Sequence, residues 1–530
     1  MAFTERSFFR KRLTRLMCAA VCALLFCSML LPAAATTVED SLVIGIQSNK
    51  THMIKPLEPV ERDFMSIYDL MYDGLVTIND DYIPVGNLAE SWSMSPNGKS
   101  WTFRLREDVF FSDGSPLTAN DVVATANWII TRANNNTEDP GFYMNLKYFI
   151  ETISAEDEHT VLVKAERPYY GLLYAMTFPI LPAKALESNN PPGTGAYMCT
   201  YFTPGAALVL ENNPYWYMGQ PQVTSIKFQM YGSAAEVITD YEYNRVDAVF
   251  TRSIASAQYK GGSTTLALDY RTNQLECLLM NHSAFPLNLQ SVREAIRCLV
   301  DADHIASTIY NGMVERTDTP FIAGTWMYND NLDNYFRIDA NKARQLLEAD
   351  GWFDVDEDGI LERPNDEGEY VELKMTLYVY EEPDNDVRLE TANYIADELN
   401  RNGFSVEVKT MKFTDVQQAL SVGNFHLCLA SYAMDPCPDA GFLLMRTNTG
   451  NYCRYRSETI TNLCSSLRKQ TTQEDYQHVL FQIQEQFAKD CPFICLFYRS
   501  GTVLTRRMYT TVRDVREYEL LKGIDSFRTE

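Results

Sequence analysis

Basic residues are scarce: 46 Lys and Arg stand against 70 Asp and Glu, a net charge of −24 with His neutral. Nucleic acid needs a basic patch against its phosphates, so this balance argues against that partner and makes anionic substrates poor candidates. The six histidines, at 52, 159, 282, 304, 426 and 478, are scattered and never fall at i and i+4. There is no GxSxG, HExxH, GxGxxG or Walker-A pattern, which removes the common signatures of several enzyme classes. Acidic residues abound, but no pair of carboxylates stands out as a general acid and base. The chain has no repeat, no low-complexity tract, and one long run without charge.

That run, residues 16–31, lies near the N-terminus behind Arg6, Arg10, Lys11, Arg12 and Arg15. Pro32 breaks it, and Ala33, Ala34 and Ala35 follow. A membrane span needs about 20 residues, so the expectation is an export signal at residues 1–35, cleaved after Ala35; an uncleaved anchor is the second reading. The cysteines in this stretch are preceded by Met17, Val21 and Phe26, a poor match to lipid attachment. Losing residues 1–35 removes five basic residues and one acidic residue and leaves a net −28. Nine of the 12 cysteines remain. The number is odd, so at least one thiol is free or pairs between chains. No zinc-type CxxC pair occurs, and buried free thiols are expected for most.

A chain of 530 residues exceeds what one hydrophobic core serves, so two or three subdomains are expected. Between two turn signals, Pro96-Asn97-Gly98 and Asp113-Gly114, Trp101, Phe103 and Leu105 alternate with polar residues, the period of a half-buried strand. Thr118 with Asp121 then opens a helix whose apolar face is Val122, Ala126, Ile129 and Ile130. Further along, the pattern predicts a helix over 67–75, a helix opened by Ser291 and Glu294, a strand over 373–380, a helix over 386–401 and a strand over 404–409. The last three form a strand–helix–strand unit, which implies a mixed or parallel sheet. Residues 132–141 and Pro191-Pro192-Gly193 are boundary candidates.

Two acidic stretches raise the question of ligands. "DVDEDGILERPN", residues 354–365, places Asp354, Asp356 and Asp358 like a calcium loop, but the twelfth position is Asn365 where a bidentate Glu belongs. An acidic helix-to-strand turn is the plainer reading, so no metal or cofactor is expected. "SYAMDPCPDAGF", residues 431–442, follows an apolar strand. Asp435 there either caps a turn or meets an ammonium group in a cleft.

Several blocks together resemble the solute-binding proteins of ABC importers, in the family that binds oligopeptides, dipeptides and nickel. They are Tyr72-Asp73-Gly74-Leu75, "NLAESW" (87–92), "WTFRLREDVFFSDGSPLTANDVV" (101–123), "GTGAYMCTYFTPGAALVLENNPYW" (193–216), "VREAIRCLVDADHI" (292–305) and "FAKDCPFICLFY" (487–498). The resemblance implies an α/β, two-lobed, clam-shell periplasmic-binding-protein fold, type II-like, with an extra inserted subdomain. Its implied layout is lobe I from 36–80, 186–274 and 489–530, the insert over 81–185, and lobe II over 275–488.

In that family's peptide binders a Trp is followed three residues later by an Asp that holds the peptide's α-ammonium. Tyr432 and Asp435 take those places here. The implied ligand-binding set is Asp435 foremost, with Tyr432, Ala430 and Ser431 beside it and Ser48, Asn49, Arg62 and Asp63 along other strand edges. Tyr for Trp at 432, Met434 and Leu429 depart from the pattern, and they leave the ligand carboxylate to Arg446 or Arg454 as weak candidates. The implied function is peptide capture outside the cytoplasmic membrane, as a monomer delivering to ABC permease subunits. The alternatives are a nickel chelate or oligosaccharide on the same fold, a peptide-sensing receptor, or a secreted hydrolase.

Overall fold

The computed structural model describes residues 41–48, 53–58, 61–135, 143–382, 385–446, 449–510, 512 and 515–527. The expected export signal and Asn49 lie outside them. The chain divides at residue 42, and apart from the first two residues of the first strand everything below concerns residues 43–530.

The strands in chain order are β1 (Ser41–Gln47), β2 (Val76–Ile78), β3 (Pro84–Gly86), β4 (Ala89–Met94), β5 (Ser100–Leu105), β6 (Ile150–Ala155), β7 (Thr160–Ala165), β8 (Tyr197–Thr203), β9 (Ala207–Asn212), β10 (Ser225–Tyr231), β11 (Ala248–Thr251), β12 (Leu266–Met280), β13 (Val314–Arg316), β14 (Glu362–Pro364), β15 (Tyr370–Glu372), β16 (Lys374–Tyr380), β17 (Ser405–Met411), β18 (Leu427–Ala433) and β19 (Phe493–Thr505). Eleven of them form one mixed sheet, in the order β17-β16-β18-β12-β19-β11-β1-β10-β9-β8, with β13 added on β19. β4, β5, β7 and β6 make a separate antiparallel sheet.

The large sheet is two wings joined by two strands. β12 and β19 are its longest strands and run antiparallel to each other through a register break between Arg271 and Leu275. β18 pairs with β12 from Gln274 onward, whereas β11 pairs with β19 at Thr502–Thr505. One wing therefore hangs on each half of the long pair.

Of the helices, four bear on the argument: α1 (Arg62–Asp69), α2 (Ala119–Asn134), α3 (Gln290–Leu299) and α4 (Val387–Asn400). The period-two strand is present as β5, with Trp101, Phe103 and Leu105 buried. Gly114 takes φ +80 in the turn that follows, and Thr118 and Asp121 form the capping box of α2. That helix packs on β6 and β7 and buries Val122, Ala126 and Ile129, while Ile130 is half-buried. The β16–α4–β17 unit is present with its two strands parallel.

Two expectations need correction. The helix expected over 67–75 lies at 62–69 instead, because Leu70 closes it and the next residues turn to meet the segment at 193–197. Ser291 does not cap α3. Leu289 is its N-cap, and the Ser291 hydroxyl donates to Asp350 (2.8 Å).

A buried ion cluster ties one wing to the long pair. Glu276 on β12 accepts hydrogen bonds from Arg388 of α4 (2.7 Å), Arg499 of β19 (2.6 Å) and the Ser431 hydroxyl of β18. Both arginines also reach Glu382, and Arg388 lies 4.0 Å over the Tyr380 ring. Burial alone would raise the Glu276 pKa, but the two guanidinium groups and Ser431 outweigh it and hold it at about 2. A carboxyl depressed in this way lends stability that is complete above about pH 4.5 and is lost as the pH falls toward 2. Glu276→Gln leaves buried guanidinium groups short of charge, so urea unfolding at pH 7 shows a loss of about 3–5 kcal/mol. The variant also loses less stability than wild type between pH 4.5 and pH 3.

Candidate functional site

The end of β18 runs into a Pro-rich turn that opens on a cleft. Asp435 sits at that opening, accessible to solvent but enclosed by protein on most sides. One of its oxygens accepts the Cys437 N–H (2.8 Å), so it caps its turn. Its other oxygen has no hydrogen-bond partner among the described residues. Burial, and then the charge of Asp439, push the carboxyl above its ordinary value against the Cys437 N–H. Asp439 fixes the turn from behind: it accepts from Arg468 (2.6 Å), the Tyr169 hydroxyl (3.1 Å) and the Gly441 N–H (2.8 Å).

The cleft has three neighbouring parts that share lining residues. A chamber beside Asp435 is walled by Tyr82, Phe321, Tyr498, Arg516, Glu517 and Tyr518. A smaller space holds Tyr143, Leu146, Phe149 and Tyr174. The main cavity, about 330 Å³, is walled by the end of α1 and the turn after it (Tyr68, Asp69, Tyr72, Asp73), by Trp216 and Tyr217, and by residues 518–525. Pro436 borders all three. Aromatic walls with a few placed polar groups are the usual make-up of a small-ligand site.

The wall between α1 and the segment at 193–197 exists because two residues there lack a Cβ. The Gly195 N–H donates to the Met71 carbonyl (3.0 Å) and the Tyr197 N–H to the Leu70 carbonyl (3.0 Å). A Cβ on Gly195 would lie 2.5 Å from the Leu70 oxygen, and one on Gly193 would fall on the Met71 carbonyl. The block "GTGAY" is thus a backbone-to-backbone seam.

The expected site residues are placed apart from one another. Asp435 lines the cleft. Tyr432 points into the core: it is buried, donates to the Gly450 carbonyl (2.9 Å) and packs among Phe442, Tyr452 and Phe493. Ser431 belongs to the Glu276 cluster, and Ala430 is buried opposite Cys277. β18 bonds to β12 along its length but to β16 only at Leu427 and Cys428, so residues 429–433 have no strand on that edge among the described residues. Ser48 donates to Glu61. Asp63 pairs with Arg252 (2.8 Å), and burial raises its pKa despite that partner. Arg62 pairs with Glu517 (3.2 Å), which also faces Arg252 (3.5 Å) and accepts the Asn273 N–H (2.8 Å). Arg62 and Asp63 thus connect to the cleft through Glu517. Arg446 is exposed and Arg454 donates to the Ser421 carbonyl (2.9 Å); neither lines the cleft.

In the acidic loop, Asp354, Asp356, Asp358 and Glu362 bring carboxylate oxygens within 4.8 Å of one another. Each already accepts a backbone N–H, from Gly359, Asp358, Ile360 and Val355 respectively. The nine cysteines among the described residues are unbridged, and eight of them are buried. No helix among the described residues is long and apolar enough to cross a membrane.

The profile of the bacterial extracellular solute-binding proteins, family 5 Middle, matches residues 84–452, more than half of the chain. The chain belongs to this family. The probable D,D-dipeptide-binding periplasmic protein DdpA of Escherichia coli is 22% identical over 495 residues, 88% of this chain and 90% of its own. Among solved structures, AppA of Bacillus subtilis in complex with a nonapeptide aligns with TM-score 0.66 at 19% identity, covering 92% of this chain and 98% of that one. NikZ of Campylobacter jejuni in complex with Ni(L-His) aligns with TM-score 0.69 at 18% identity, covering 91% and 97%. The fold is therefore that of the two-lobed periplasmic binding proteins, and the two wings on the β12–β19 pair are its framework in this chain.

Sequence reasoning missed Asp69, Glu517 and Tyr518, which carry no local motif, and Asp73, which stands in the Tyr72-Asp73-Gly74-Leu75 block without being marked as a site residue by it.

The glycine seam gives a direct test of this wall. Gly193→Ala forces backbone apart and lowers stability by about 1–3 kcal/mol or more in urea unfolding. Gly232→Ala, whose Cβ would meet nothing closer than 3.5 Å, stays within about 0.5 kcal/mol of wild type.

Proposed function

We propose that this family 5 solute-binding protein captures peptides and delivers them to the permease of an ABC importer, working as a monomer on the outer side of the cytoplasmic membrane. The observation that carries this reading is Asp435, a carboxylate in an aromatic cleft with one oxygen that has no hydrogen-bond partner among the described residues. A peptide's α-ammonium is the matching group. When the lobes close on a ligand, a cation buried between them must be paired, and Asp435 is placed to pair it. The free edge of β18 beyond Cys428 offers backbone groups to an extended peptide, as in strand addition. The names of relatives support a peptide: DdpA is called dipeptide-binding, and AppA was solved with a nonapeptide. The role is holding without catalysis. A chelated metal is the second reading, favoured by the likeness to NikZ with Ni(L-His).

The test is a thermal-shift screen of the purified protein with di- to hexapeptides, their N-acetylated forms, cello-oligosaccharides and Ni(L-His). A ligand present at 100 times its dissociation constant adds about 2.7 kcal/mol of stability, a shift easily read. Free peptides are expected to shift the transition and acetylated ones are not. Asp435→Asn is expected to weaken peptide binding about a hundred- to a thousandfold, the usual result of removing one partner of a buried charge pair. A shift with Ni(L-His) or a sugar and none with peptides would transfer the cleft to that ligand class.

A further inference from the structure

Two spaces meet at Asp435, and they differ in chemistry. The chamber is lined by Arg516, Glu517 and Glu519 among others, whereas the smaller space has Asp435 as its one charged residue among the described residues. Leu146, Phe149, Ala175 and Pro436 give the smaller space apolar walls. Three of the polar groups around it are already engaged. The Tyr174 hydroxyl donates to the Tyr82 carbonyl (2.7 Å), the Thr177 hydroxyl donates to the Tyr174 carbonyl (3.0 Å), and the Cys437 thiol lies 3.4 Å from the Tyr169 hydroxyl. The wall is also fixed relative to Asp435. Phe149 stacks on the Tyr169 ring, with centroids 5.6 Å apart, and the Tyr169 hydroxyl donates to Asp439 (3.1 Å) on the turn that carries Asp435.

A peptide held by its α-ammonium at Asp435 has its first Cα bonded directly to that nitrogen, so its first residue stands where the two spaces meet. The backbone that follows needs polar partners, and the chamber offers them. The first side chain is left to the smaller space. That space amounts to about 60 Å³, and a cavity needs about 10–15 Å³ by this measure to hold one water. It therefore has room for about four to six groups of water or methyl size. A Leu, Ile or Met side chain fits; a Trp side chain exceeds it, and a carboxylate would enter beside Asp435 with no cation on the walls to pair it. We infer that the space walled by Leu146, Phe149 and Ala175 receives the ligand's first side chain and selects an aliphatic one of the size of Leu, Ile or Met. The inference rests on the peptide reading above and narrows its substrate class to peptides that begin with such a residue.

The experiment is isothermal titration calorimetry on the purified protein. The probes are tetra-alanine, tetrapeptides with Leu, Met, Trp or Glu in the first position and Ala elsewhere, and the same set with the variable residue second. Leu in the first position is expected to bind about ten- to a hundredfold tighter than Ala there, the gain from burying about three more carbon groups, and Trp and Glu are expected to bind more weakly than Leu. Two variants move the preference in opposite directions. Ala175→Leu narrows the space and is expected to bring Leu and Ala in the first position to within about threefold of each other. Leu146→Ala widens it and is expected to raise the affinity for Trp in the first position relative to Leu, so that the size of the space is read even if one variant fails to fold. Equal binding of all first residues, a Leu preference found only at the second position, or a first-position preference that neither variant changes overturns the subsite and leaves the peptide reading standing. No binding by any of the peptides overturns both.

Discussion

The pairing of β12 with β19 is the constraint on which the rest of this molecule depends. Every strand of the large sheet attaches, directly or through a neighbour, to one half or the other of these two strands. The register break between Arg271 and Leu275 separates those halves. Just past the break the buried Glu276 gathers Arg388 and Arg499, and Ser431 joins it from β18. The strand that leads to Asp435 is therefore gripped at Ser431 by buried charge, and its outgoing turn is held from the other side by Asp439 and Arg468. A site residue aimed by two such anchors keeps its position while committing only one of its oxygens, to the Cys437 N–H. That is the condition for a group whose task is to wait for a ligand.

Much of the framework was legible in the sequence because its causes are local. Period two at Trp101, Phe103 and Leu105 makes a strand wherever one face is buried, and Thr118 with Asp121 caps whatever helix follows. The parallel unit of β16, α4 and β17 announces itself by two apolar strands separated by an amphipathic helix. Local reasoning misplaced α1 because the residues after Asp69 are apolar enough to continue a helix. The seam with Gly193 and Gly195 draws them into a turn, and that seam is a contact across more than a hundred residues. The Ser291 and Glu294 pair failed for a similar reason: the hydroxyl found a better acceptor in Asp350, which is remote in sequence.

The site was less legible than the fold. Asp435 could be named because it stands in a patterned stretch. Tyr432, from the same stretch, is packed among Phe442, Tyr452 and Phe493, so the aromatic that a motif would place beside the ligand here serves the core. The aromatic face of the cleft comes instead from Tyr68, Tyr72, Tyr143, Trp216, Tyr217 and Tyr518, spread over the whole chain. Glu517 and Tyr518 lie in a C-terminal stretch with no motif, and Asp69 looks in sequence like the polar end of an ordinary helix. What makes each of them part of a site is which cavity it opens on, and that is fixed by packing between distant segments.

The electrostatics of the cleft also bear on how such a protein can move. Seven carboxylates line these spaces; Asp439, Glu517 and Glu519 are held by basic side chains, whereas Asp435 has no ion pair among the described residues. Closing lobes over this surface without a ligand removes water from Asp435, which no cation among the described residues pairs, and so disfavours the closed state by the desolvation of charge. A ligand that brings its own cations removes that penalty only in the closed form. Its differential affinity for the two states is the quantity that drives closure. On the proposed reading, the same carboxylate, Asp435, therefore recognises the ligand and favours the open form of the empty protein, so that a permease would meet a closed form chiefly when cargo is inside.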